Sequence, residues 1–149
     1  MSNCVFIASD RPLPEVRASQ DYALHINVDP GTISDGGADD NYSLLTFDEA
    51  DLYCNKKYGV YLELPQFTEG QARRIMDYIR AALLQVDCVE IWNVWLLGYW
   101  EYDDRPYIRK STIHMEELTV NDMKEIIHAE NWDNKDQNRP SFYCLEIIR

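Results

Sequence analysis

Basic residues are scarce in this chain. Lys and Arg together number 14 against 26 Asp and Glu in 149 residues, a formal net charge of -12. A field of that sign repels phosphates, so neither nucleic acid nor an anionic membrane surface is an expected partner. Basic proteins and metal cations are compatible with it. The competing reading is acidity that serves only solubility.

Paired cysteines are missing as well. Cys4, Cys54, Cys88 and Cys144 are widely spaced with no Cys-x-x-Cys, which predicts small apolar side chains in a reducing compartment rather than a disulfide frame. No apolar run approaches the ~18 residues of a membrane span. The opening MSNCVFIASDRPLPEV has no basic segment ahead of its short apolar run and does not read as a leader peptide. The expected compartment is the cytoplasm.

Catalytic signatures are absent too: no Gly-rich phosphate loop, no Gly-x-Ser-x-Gly, no His-Glu-x-x-His and no paired-cysteine metal site. No catalytic residue, cofactor or metal is therefore assigned, and the balance leans away from an enzyme. The acidic run DPGTISDGGADDN (29–41) invites a calcium reading. Its carboxylates miss the alternate positions of an EF-hand, and position twelve counted from Asp35 is Thr46. A solvated loop is expected there. From Asp29 to Asn55 the chain carries Asp29, Asp35, Asp39, Asp40, Asp48, Glu49 and Asp51 with no Lys or Arg, a locally negative surface.

What is present is an ordinary globular composition, 46% hydrophobic and 27% charged, at a length that predicts one domain, 1–149. The run at Val5 to Ala8, closed by Pro12 and Pro14, reads as a peripheral strand. Tyr22 to Val28 and Tyr42 to Phe47 read as further strands, and DEADLY as a single helical turn. Tyr58 to Leu64 is a strand ended by Pro65. Thr68 to Val86 is a helix: Thr68 and Gln71 supply a capping box, and Ala72, Ile75, Met76, Ile79, Leu83 and Val86 form its apolar stripe. A second helix begins at Thr119, with Val120, Met123, Ile126 and Ile127 on one side. Ser141 to Ile148 is dense in apolar residues and belongs inside a sheet.

The stretch Asp87 to Leu118 reads as two strands folded back through the turn EYDDRPY. The fold class expected is α+β: an antiparallel sheet with two helices on one face, a ferredoxin-like β-α-β-β-α-β unit over 58–149, preceded by a β-rich N-terminal extension (1–57) packed on it.

Alternation along the strands sorts Val60, Leu62, Val89, Ile91, Trp95, Ile113, Leu145 and Ile147 to the helices. The opposite face receives Tyr61, Glu63, Glu90, Trp92, His114, Glu116, Phe142 and Glu146. With Tyr99, Trp100, Glu101, Tyr102, Asp103 and Asp104 at the turn, this aromatic and acidic set is the candidate binding surface. The functional expectation is an acidic protein-binding module, of the type of an inhibitor or immunity protein that neutralises a basic protein. Three readings compete with it: a half-solvated sheet face with no partner, a small-molecule or metal-dependent enzyme site around Trp92, His114 and Glu116, and a homodimer that pairs sheet faces.

Overall fold

A computed structural model describes residues 3–18, 25–27, 32–34, 39–96, 106–132 and 139–149. The chain is α+β, with a six-stranded mixed sheet and two helices. The strands are β1 (Asn3–Ser9), β2 (His25–Asn27), β3 (Thr32–Ser34), β4 (Ser43–Thr46), β5 (Tyr58–Glu63), β6 (Cys88–Trp95), β7 (Tyr107–His114) and β8 (Ser141–Ile148); the helices are α1 (Glu69–Ala82) and α2 (Val120–Ile127). The large sheet has the order β4-β5-β1-β6-β8-β7. Its pairs are antiparallel except β7 with β8, which α2 connects as a parallel crossover requires. β2 and β3 form a separate antiparallel pair, so the predicted loop 29–41 contains a strand.

Two expectations are corrected by this order. The first is the hairpin of β6 and β7: β8 lies between them, and the ferredoxin-like arrangement is not formed although its element order is. Burial explains the choice. β7 is polar and mostly exposed, fit for an edge, whereas β6 and β8 are apolar on both faces and pair with each other. The second is the peripheral place given to the first strand. β1 is central, between β5 and β6, with Phe6, Ile7 and Ala8 all buried. Its run is apolar on both faces because both faces are covered, and Pro12 and Pro14 lie beyond its end at Ser9.

Both helices carry the capping boxes their sequences offer. Thr68 accepts from the Gln71 N–H while Gln71 returns the bond, and Thr119 does the same with Asp122. Ile75, Ile79 and Leu83 of α1 and Met123, Ile126 and Ile127 of α2 share a core with Ile7, Val60, Val89, Ile91, Leu145 and Ile147. The alternation read from the strands assigns Val60, Val89, Ile91, Leu145 and Ile147 to the helix side correctly; the first strand is not sorted by it.

The other face is not open. Phe6, Ala8, Trp92, Val94, Phe142 and Cys144 form a second core, roofed by Phe47, the 3-10 turn Ala50–Leu52 and Tyr53. Phe47 and Tyr53 sit 4.8 and 5.9 Å from the Phe6 ring, and Trp92 stacks over Phe6 at 6.4 Å. Gly59 lets the roof approach: a Cβ there would lie 2.8 Å from the Ala50 Cβ.

Candidate functional site

At one end of β5, β1 and β6 the sheet opens into a cavity of about 800 Å³. Its walls are Asn3, Cys4 and Val5 from β1; Tyr61, Leu62, Leu64, Pro65 and Phe67 from β5 and the link to α1; Trp95 and Leu96 at the end of β6; and Ile127 to Trp132 following α2. Two polar residues hold the α2 side in place. Buried Asn93 donates through Nδ2 to the carbonyls of Ile126 (2.9 Å), Ile127 (3.3 Å) and Ala129 (3.1 Å), receiving the helix end on the sheet. Asn131 donates to the carbonyls of Asn93 (3.2 Å) and Ser141 (2.7 Å).

The rings on this wall are arranged in pairs. Trp132 meets Trp95 edge to face at 6.1 Å, and His128 meets Phe67 at 5.4 Å. Tyr61, Phe67, Trp95 and Trp132 are each half-buried, so part of every ring is left uncovered.

Among the described residues no Lys or Arg lines the cavity, whereas acids stand on or beside its rim. Glu130 is part of the wall. The Tyr61 phenol is pushed up by desolvation and by the nearby Glu63 carboxylate. The Cys4 thiol is pushed up to about 11 by burial and then by the charge of Glu49. Glu49, Glu63 and Glu130 are exposed and form no ion pair among the described residues. Glu49 belongs to the roof, whose outward side carries Asp48, Glu49 and Asp51 around Leu52, itself 51% exposed.

A second cluster lies on the roofed face at β6, β8 and β7. Lys110 Nζ is 3.2 Å from both Glu90 and Glu146. Trp92 Nε1 donates to Glu90 at 3.0 Å, and Thr112 to Glu146 at 3.1 Å. Donor atoms of Cys88, Glu90 and Glu146 come within 4.8 Å of one another, a spacing that could hold a cation. Lys110 already supplies the positive charge there.

The residues named from sequence are thus dispersed. Tyr61 lines the cavity and Glu63 adjoins it. Glu90 and Trp92 are buried beneath the roof or in the ionic cluster and offer no docking surface. His114 is exposed at the end of β7, and Glu116 lies in the 3-10 turn Met115–Glu117 rather than on that strand. Trp92 is level with Cys144 and hence with Lys110, four residues from His114 and two strands away. That is ~13 Å along the strand and ~10 Å across, so Trp92, His114 and Glu116 do not converge. Tyr99 to Asp104 lie outside the described residues. Sequence reasoning missed Phe67, Glu130 and Trp132, and put Trp95 in the core; the paired aromatics near two chain turns were the available signal. No family model matches the chain, and comparison with curated proteins and with solved structures returns no match.

Proposed function

We propose that this chain is a protein-binding module that captures a basic protein, as an inhibitor or immunity-type neutraliser does. The observation that carries the reading is the way charge is spent. Arg17, Lys56, Arg73, Arg80, Lys110 and Arg149 are engaged with the chain's own carboxylates. Asp48, Glu49 and Asp51 are left around an exposed leucine on a turn anchored by Tyr53 and Ala50. An exposed apolar residue flanked in sequence by exposed acids that form no ion pair among the described residues is what a complementary basic surface needs: the charges steer encounter, and the leucine is desolvated on docking.

The test is a titration with an arginine-rich peptide across a series of salt concentrations. Reversal of Asp48, Glu49 and Asp51 to Lys is compared with reversal of Glu116, Glu117 and Glu125, which changes the net charge equally. The reading expects the first variant to lose most of the binding and the second to lose little. Equal losses would mean that only net charge matters.

A second reading is a metal-dependent site, favoured by the Cys88, Glu90 and Glu146 spacing. Zinc titration of the purified protein and of Lys110→Met decides it: absence of stoichiometric uptake in both removes it.

A further inference from the structure

We propose that the cavity at the end of β5, β1 and β6 receives an arginine-bearing loop of the basic partner, with the guanidinium among Trp95, Trp132 and Tyr61 and the carboxylate of Glu130 beside it. The inference rests on the protein-binding reading above and assigns to the cavity the anchoring of the partner.

Charge complementarity points to a cation. Among the described residues the walls carry a glutamate and no Lys or Arg; two further glutamates without an ion pair, Glu49 and Glu63, act on the wall residues Cys4 and Tyr61, where the one opposing cation is Arg17, itself paired with Glu15. The turn that follows α2 also opens onto the space, the helix's last carbonyls being taken up in part by Asn93. The aromatic side chains of the wall are only half-buried, and an uncovered ring face attracts a cation placed over it.

Arginine fits better than lysine. Its guanidinium is planar, stacks on indole, sheds water more easily than an ammonium and meets a carboxylate with two parallel N–H bonds. Volume argues for a loop rather than a lone side chain. About 800 Å³ is the size of sites that enclose a whole small ligand. Leu62, Leu64 and Ile127 in the wall would cover apolar neighbours of the arginine.

The experiment uses a short peptide with one arginine between leucines, and the same peptide with citrulline, the neutral shape-mimic of arginine. Binding is followed through the indole N–H signals of Trp95 and Trp132 in the full chain. The arginine peptide should shift both signals and bind about tenfold tighter than the citrulline peptide. Glu130→Gln, an exposed substitution that spares the fold, should reduce that preference several-fold. Equal affinity for the two peptides overturns the assignment. So do indole signals that stay fixed while an arginine-rich probe still binds the Asp48 to Asp51 turn, an outcome that leaves the protein-binding reading standing. Failure of the arginine-rich probe to bind at all overturns that reading, and the cavity's role with it.

Discussion

Lys110 and Glu90 form an ion pair of 3.2 Å although they stand on strands that are not neighbours: β8 runs between them. The lysine lies across β8 and takes Glu146 on the way, again at 3.2 Å. Three strands are thereby tied by one side chain on the outer face of the sheet.

Removing that lysine leaves Glu90, whose side chain is 7% exposed, without its counter-charge. Lys110→Met should destabilise the fold by about 1–3 kcal/mol, less than for a fully enclosed pair because Lys110 is itself 44% exposed. Urea denaturation measures this. Adding Glu90→Gln, which still accepts from Trp92, should restore part of the loss; a further loss would mean that the pair is not the cause.

The same cluster predicts a response to acid. Burial raises the Glu146 carboxyl, but hydrogen bonds from Lys110 and Thr112 outweigh it and leave the group below its ordinary value of 4.5. A depressed carboxyl stabilises the fold above the unfolded value and loses that contribution as pH falls through the folded one. Stability should therefore drop below about pH 4.5, and the drop should be shallower in Lys110→Met. Identical acid profiles would rule out this linkage.

Asn93 is the polar hinge between helix and sheet. Asn93→Asp turns a donor toward three carbonyls into a buried charge, with an expected cost of about 3–5 kcal/mol, while Asn93→Ala removes the donor alone and should cost about 1–3. Thermal unfolding of the two variants tests the order. An aspartate variant as stable as the alanine one would show that the carbonyls find other donors.

At Gly59, an added methyl meets Ala50 at 2.8 Å and the carbonyl oxygens of Ile7 and Phe47 at 3.3 and 3.4 Å. Gly59→Ala should lift the roof and destabilise by about 1–3 kcal/mol. The double variant Gly59→Ala with Ala50→Gly removes the closest contact and should recover part of it. Unfolding midpoints that show no recovery would place the strain on the carbonyls instead.

The four cysteines are free thiols. Burial is the first cause of the rise at each, with Cys4, Cys54 and Cys88 at about 11. Since the thiolate is the reactive form, alkylation of the folded protein should be slow at pH 7 and accelerate only as pH approaches that value. Fast labelling at neutral pH would contradict the assigned environments.

The legible part of this fold was the local part. Alternation separated Val89 and Ile91 from Glu90 and Trp92, and Leu145 and Ile147 from Phe142 and Cys144, because the period of a strand is written in consecutive residues. A capping box located the start of α1, and an apolar stripe that of α2, for the same reason. Strand order was not legible: what places β1 between β5 and β6 is the pairing of Ile7 with Val60 and Ile91, contacts far apart in sequence. Glu90 read as a surface acid because its partner Lys110 comes from a distant strand. The cavity was hidden likewise, since its wall runs from Asn3 to Trp132 and only the folded sheet joins them.

The position of β8 also governs the order in which this protein can be assembled on the ribosome. Among the described residues β7 pairs with the large sheet only through β8, which is synthesised after it. Until β8 emerges, β7 and the edge of β6 have no partners along that side. β1, made before either, similarly waits for β5 and β6. Closure of the sheet is therefore a late, long-range event, and a nascent chain stalled before residue 141 leaves β7 unpaired on both sides and β6 on one, edges open to association with other chains.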